Sequence, residues 1–129
     1  MGLDNGIIIK DYPKARHKTF AMNKLFNASS PYLIEEGKCE VLYWRRQWTY
    51  RTRIVNTLSK KYPNAEGMYI LTLEDVDTII SILEEMVRDK EKPDNFFRFN
   101  FRENLKNVKA LKHFMQFNPD IEVYFYDSY

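Results

Sequence analysis

Residues 72–92 carry the pattern that most restricts what this chain can fold into. Apolar side chains recur every three or four positions from Leu73 to Val87, which predicts one amphipathic helix. Thr72 stands at the N-cap position with Asp75 three residues later, a capping-box variant that uses Asp, and Pro93 lies beyond the helix end. Such a helix buries only one face, so other elements of the chain must cover it.

Strand patterns lie near both ends of the sequence. Residues 2–10 contain a β-branched Ile triplet, and residues 121–126 alternate apolar side chains with Glu and Tyr, as a half-buried strand does. Because both segments are short and rich in large side chains, we expect residues 2–9 and 121–126 to lie in the same sheet. A short strand is also predicted over 67–71, and an extended aromatic segment over 96–99.

Two more helices complete the predicted architecture. One spans residues 40–62, and the other begins near Phe101 and ends before Asn118. The fold class is therefore α+β, with three main helices packed on a small sheet that includes the N- and C-terminal strands. A length of 129 residues fits a single domain, 1–129, in which residues 11–38 form a long loop or cover segment.

Composition excludes several classes of protein. No apolar run approaches the roughly 18 residues that a membrane-spanning helix needs, and no signal peptide is recognisable. A lone cysteine, Cys39, excludes an internal disulfide and fits a reducing cytoplasm. The two histidines, His17 and His113, have no ligand spacing with Cys39, so we expect no metal, no cofactor and no catalytic residue. The sequence thus predicts a cytoplasmic protein, with enzymatic activity left open but disfavoured.

The net charge of +2 conceals two segments of opposite charge. Residues 39–62 contain six basic residues and one acid, whereas residues 63–94 contain three basic residues and nine acids. A nucleic-acid-binding domain usually carries its positive charge uncancelled. We therefore expect the basic segment to pair with the acidic segment that follows it in the same molecule.

The basic segment contains the stretch YWRRQWTYRTR, residues 43–53, in which aromatic and arginine side chains are concentrated. On the predicted helix, Trp44 and Trp48 fall in the apolar arc and are expected in the core. Three arginines lie on the polar side of that helix and should face outward or toward the acidic helix: Arg45, Arg46 and Arg53.

Arg51 differs from the other arginines, because it projects from the middle of the apolar arc. If it is buried it must be paired, since an unpaired buried charge is very costly. Its candidate partners are Asp4, Glu122 and Asp127. A buried arginine–carboxylate pair either stabilises the fold or forms the mouth of a site for an anionic ligand.

Four stretches of the sequence resemble a group of small uncharacterised phage and prophage proteins: MGLDNGI, EVLYWRR, EGMYILTLEDVDTIISILEEM and EVYFYDSY, in this order. Those proteins open Met-Gly-Leu-Asp, carry a Tyr-Trp-Arg-Lys stretch at a helix start, and end in a Tyr-rich strand. The resemblance covers nearly the whole chain, although residues 11–38 match poorly. This sequence departs from the pattern at Asn5, usually Met, and at Arg51, usually His. The resemblance implies a phage origin rather than an activity.

The resemblance also points to a shared polar and aromatic set, Asp4, Tyr43, Trp44 and Arg45. With Arg51 and the tyrosines of the last strand, the candidate binding residues are Asp4, Tyr43, Trp44, Arg45, Arg51, Tyr124 and Tyr126.

Three functions remain open at this point. The leading expectation is a small phage- or mobile-element-encoded accessory protein that binds a host or phage macromolecule or a small ligand and does not catalyse a reaction. The first alternative is a nucleic-acid-binding module that uses the basic aromatic segment 43–53. The second is an enzyme with an anion-binding pocket around Asp4, Arg45 and Arg51. A membrane partner is not expected.

Overall fold

The structure is a computed structural model that describes residues 3–10, 32–35, 38–96 and 99–128. In chain order its elements are β1 (Asp4–Lys10), β2 (Tyr32–Glu35), β3 (Lys38–Arg45), α1 (Trp48–Lys61), β4 (Met68–Ile70), α2 (Leu73–Arg88), α3 (Phe101–Phe117) and β5 (Val123–Ser128). The predicted α+β class is confirmed, with three helices and a sheet that contains the strands nearest both chain ends.

The five strands of the described residues form one antiparallel sheet in the order β2-β3-β1-β5-β4. β1 is central, and its Asp4 lies opposite Arg45 of β3 on one side and Ser128 of β5 on the other. The prediction that the first and last strands share a sheet is therefore confirmed.

The helices pack on one face of this sheet, hereafter the inner face. Because side chains alternate along a strand, every second residue of β1 and β5 points into the core, and β3 contributes Val41, Leu42 and Trp44. Trp44 of β3 is buried there and stacks on Tyr50 of α1, with ring centroids 5.1 Å apart, and Phe125 of β5 packs beside it at 6.0 Å. The Tyr50 hydroxyl donates to Asn104 Oδ1 of α3 at 2.6 Å, which ties α1 to α3.

The helix predicted over residues 40–62 is wrong in its first part, because residues 38–45 form strand β3. By periodicity alone, a short apolar run such as residues 41–44 is compatible with a helix or with a strand. Pairing with β1 stabilises the strand in this structure. The pairing of β1 with β3 has a register shift between Ile7 and Ile8. Because such a shift interrupts the regular alternation of apolar and polar side chains along β3, the sequence of β3 lacks the pattern expected of a strand. One consequence concerns Trp48, which was expected in the core but has an exposed fraction of 46%.

The turn between β3 and α1 is held by side chains from a distant loop. Arg46 has φ 58°, the left-handed region, and thereby separates strand from helix. Gln47 is fully buried and accepts a hydrogen bond from the Asp94 backbone N–H at 3.1 Å. The Asp94 carboxylate in turn accepts from the Thr49 backbone N–H at 2.7 Å, so a residue from outside the helix supplies its cap.

The remaining sequence predictions have mixed outcomes. Helix α2 and its capping box are confirmed, since the Thr72 side chain accepts a hydrogen bond from the Asp75 backbone N–H and the Asp75 side chain accepts one from the Thr72 backbone N–H.

The cover segment predicted over 11–38 is corrected at its end, where β2 pairs with β3. Residues 11–31 lie outside the described residues. The extended segment 96–99 is not a strand at the two residues described, Phe96 and Phe99.

Candidate binding face of the sheet

The face of the sheet turned away from the helices is hereafter called the outer face. Its described residues are Asp4, Gly6, Ile8, Lys10, Glu40, Tyr43, Arg45, Met68, Ile70, Glu122, Tyr124, Tyr126 and Ser128. Three of them have large exposed apolar surfaces, because Tyr43, Met68 and Ile70 have exposed fractions of 51%, 44% and 50%. An antiparallel sheet covered by helices on one face typically leaves a polar opposite face, so this apolar and aromatic surface is unusual.

Tyr43 and Asp4 form the first polar pair on the outer face. The Tyr43 hydroxyl donates to Asp4 Oδ1 at 2.6 Å, and Arg45 Nε lies 3.7 Å from the same oxygen. Partial burial and the hydrogen bond to the Asp4 carboxylate raise the pKa of Tyr43 to about 12. Tyr43 therefore stays protonated at neutral pH, with its ring held in one orientation against β1.

Tyr126 crosses the central strand to reach a carboxylate on β3. Its hydroxyl donates to Glu40 Oε2 at 2.7 Å, which requires the ring to lie over Gly6 of β1. A Cβ atom at Gly6 would lie 2.6 Å from Tyr126 Cε1 and 2.6 Å from the Leu42 carbonyl oxygen, so glycine is needed there. Burial and the bond to Glu40 raise the pKa of Tyr126 well above its ordinary value.

Tyr124 forms the third tyrosine–carboxylate pair, at the opposite end of β5. Its hydroxyl donates to Glu122 Oε2 at 2.6 Å, and this hydrogen bond lowers the pKa of Glu122. Lys10 Nζ lies 3.6 Å from the same carboxylate and 5.0 Å from the centroid of the Tyr124 ring. The cation thus contacts both members of the pair.

Among the residues whose side chains the structure describes, the outer face is rich in tyrosine and nearly balanced in charge. Three carboxylates are opposed by the cations Lys10 and Arg45, and each of these cations contacts one of the carboxylates. The three tyrosine hydroxyls donate to carboxylates, which fixes the orientation of rings that are exposed at Tyr43 and partly buried at Tyr124 and Tyr126. Rigid aromatic rings with little conformational entropy to lose are what protein-binding surfaces use.

Two of the predicted binding residues lie elsewhere. Trp44 is on the inner face, in the core. Arg51 of α1 binds Asp127 on the helix side of β5, with Nη2 2.7 Å from Oδ2 and Nε 3.0 Å from Oδ1. Asn5 Nδ2 donates to the same carboxylate at 2.9 Å. Asp127 was among the three candidate partners of Arg51, and the pairing between them is confirmed.

The expected pairing of the basic segment with the acidic one is confirmed for Arg53 and Lys61 only, because Arg45 and Arg51 pair with Asp4 and Asp127, outside the acidic segment. Arg53 Nη1 lies 3.2 Å from Glu91 Oε2 and 3.8 Å from Glu85 Oε1, and Lys61 Nζ lies 3.0 Å from Asp75 Oδ1. These contacts join α1 to α2 and to the loop that follows it.

Sequence reasoning missed Glu40, Gly6 and Lys10 as parts of the outer face. Glu40 was assigned to a helix, and it lies on the same face as Tyr43 only because the register shift leaves Val41 as an extra, unpaired residue in β3. The sole signal for Gly6 was its position inside a predicted strand, where glycine often marks a close approach of another group.

The chain matches no protein-family model, no curated protein and no solved structure. The described side chains contain no group of three or more His, Cys, Asp or Glu residues that could hold a metal ion. Every helix within residues 38–96 and 99–128 is too short or too polar to span a bilayer.

Proposed function

We propose that this chain is a non-catalytic accessory protein of a phage or mobile element that acts in the host cytoplasm by binding a partner protein through the outer face. The resemblance of the opening, central and closing stretches to small phage proteins supports the origin. The observation that carries the proposed activity is the outer face itself, where the exposed Tyr43 and the partly buried Tyr124 and Tyr126 are each held by a carboxylate, on the same face as the exposed Met68 and Ile70.

The charges of the outer face support a protein partner over a nucleic acid. Phosphates are bound by uncancelled cations, but Arg45 contacts Asp4 and Lys10 contacts Glu122. Arg51 and Arg53 of the basic aromatic segment are likewise bound to carboxylates. Because the charged groups Asp4, Arg45, Lys10 and Glu122 are paired with one another, the outer face best complements a partner surface made mainly of apolar and aromatic side chains.

The test combines capture of a partner with variants that separate the two faces of the molecule. Wild type, Tyr43→Ala and Ile70→Glu are used as baits for host lysate, and Phe117→Ala, an exposed aromatic on α3 outside the sheet, is the matched control. The captured protein is then purified and its affinity for each variant is measured by calorimetry. We expect Tyr43→Ala and Ile70→Glu to weaken binding by about tenfold or more and Phe117→Ala to leave it unchanged.

Two results would overturn the proposal. One is a purified partner whose affinity is the same for wild type and both outer-face variants. The other is a single-stranded oligonucleotide bound with nanomolar affinity at physiological salt, far tighter than the roughly 10⁻⁴–10⁻⁶ M of non-specific binding. The second result would favour the nucleic-acid module.

A further inference from the structure

A second surface lies outside the sheet, in a groove between α2 and α3, hereafter the α2–α3 groove. Its cavity has a volume of about 430 Å³ and is lined by Val87, Arg102, Leu105, Lys106, Lys109 and Ala110. The apolar members form the floor, and the three cations stand along one side of α3 at spacings of four and three residues. Residues at these spacings share one helix face.

The cations of this groove differ from most others in the described residues. Lys10, Arg45, Arg51, Arg53, Lys61 and Lys112 each lie within 4 Å of a described carboxylate. Arg102 and Lys106, in contrast, form no ion pair with a described residue, and Lys109 has only a contact of 3.9 Å with Glu84 between two half-exposed side chains. The positive charge of the groove is therefore available to a ligand.

A neighbouring cavity extends the groove toward the start of α3. It has a volume of about 570 Å³, and Lys90 and Pro93 line it together with Arg102 and Lys106. Glu91 also lines this cavity, but Arg53 neutralises it at 3.2 Å. Glu103 is the remaining acid among the residues that line this cavity, and the cations Lys90, Arg102 and Lys106 outnumber it, so the cavity keeps a net positive charge.

We propose that the α2–α3 groove binds an acidic amphipathic helix of a partner protein, separately from the outer face. Carboxylates on such a helix would meet Arg102, Lys106 and Lys109, while its apolar side chains would cover Val87 and Leu105. The three cations extend over about 10 Å of α3, roughly two turns of a ligand helix. The apolar floor favours a peptide over the phosphates of a nucleic acid, which would leave it exposed to water.

The test uses synthetic probes and the full chain. A fluorescent helical peptide of about 16 residues carries Glu on one side and Leu on the other, and a scrambled peptide of the same composition has no apolar face. Anisotropy is measured at low salt for both peptides and for an oligothymidine of similar length. We expect wild type to bind the amphipathic peptide in the micromolar range, about tenfold tighter than the scrambled peptide or the oligothymidine.

Variants show whether the binding occurs in the groove. Arg102→Ala/Lys106→Ala should weaken it by about tenfold, whereas Arg46→Ala/Lys60→Ala, which removes two exposed cations outside the groove, should leave it unchanged. Circular dichroism melts check that both proteins are folded. A further measurement uses wild type alone. The rate at which an acetylating reagent modifies Lys106 should fall when the amphipathic peptide is present, because the bound peptide covers this side chain, whereas the rate at Lys60 should not change.

The proposal is overturned if the scrambled peptide binds equally well, if oligothymidine binds more tightly, or if both double variants lose the same affinity. None of these results depends on the outer face. As an internal check, Tyr43→Ala should bind the peptide like wild type, so the two surfaces are tested independently.

Discussion

Replacing Arg51 by Met should destabilise the protein more than the loss of any exposed arginine. Met keeps most of the aliphatic stem but removes the guanidinium that binds Asp127 through contacts of 2.7 and 3.0 Å. The Asp127 side chain is only 4% exposed, so its carboxylate would be left buried with its charge uncompensated. Breaking such a pair costs about 3–5 kcal/mol. Because the Arg51 side chain is itself 18% exposed, we expect the lower end of that range, about 3 kcal/mol.

Urea unfolding and thermal melts measure this loss. A change of about 3 kcal/mol should lower Tm by roughly 10 °C in a domain of this size. Arg88→Met is the matched control, because its side chain is 72% exposed and a surface substitution changes stability by about 0.5 kcal/mol or less.

The double variant Arg51→Met/Asp127→Asn separates charge from packing. It removes the buried charge while leaving an amide oxygen for Asn5, so it should recover about 1 kcal/mol or more of the single-variant loss. If Arg51→Met melts within 2 °C of Arg88→Met, which corresponds to about 0.5 kcal/mol, the ion pair does not stabilise the fold and the reasoning fails.

Three further predictions concern the core, acid stability and the outer face. Trp44→Ala should cost about 3–5 kcal/mol in denaturant unfolding, whereas Trp48→Ala should cost about 1 kcal/mol or less; equal losses would contradict the inner-face packing. Burial raises the pKa of Asp75, but hydrogen bonds from Thr72, Lys61 and Tyr62 lower it by more, so the net shift is downward. The ionised Asp75 carboxylate should therefore stabilise the fold fully above the pKa that Asp75 has in the unfolded chain, and this stabilisation should be lost as pH falls through its lower pKa in the folded protein. Over the same pH range, the difference in unfolding free energy between wild type and Asp75→Asn should decrease. In an alkaline absorbance titration Tyr43 should ionise near pH 12, and Asp4→Asn should lower that midpoint; an unchanged midpoint would refute the pairing.

Local chemistry in the sequence was sufficient to predict α2, α3 and the sheet membership of the terminal strands. The helix-capping residues Thr72 and Asp75 and the alternation in the last strand act within a few residues, so they can be read without knowing the fold. The partner of Arg51 could be narrowed to three carboxylates because a buried charge requires one.

The boundary between β3 and α1 could not be predicted, because it depends on contacts from distant parts of the chain. Residues 41–44 fit either element, and pairing with β1 makes them a strand. Asp94, 45 positions from Thr49, then caps the helix that follows. The outer face was hidden for the same reason, since Tyr126 and Glu40 meet only after three strands have been assembled.

The central position of β1 has a consequence for how the protein is made. β1 is synthesised long before one of its two neighbours, β5, because most of the described elements lie between them in the sequence. At a synthesis rate of roughly 5–20 residues per second, β1 exists on the order of seconds before β5 is made. During that time its backbone edge toward β5 is unpaired, and the side chains of Ile7 and Ile9 lack their neighbours from β5. Pairing of strands so distant in sequence is also intrinsically slow. During synthesis the nascent chain therefore carries an open, β-branched strand edge, the kind of segment that chaperones bind and that aggregates when expression is fast.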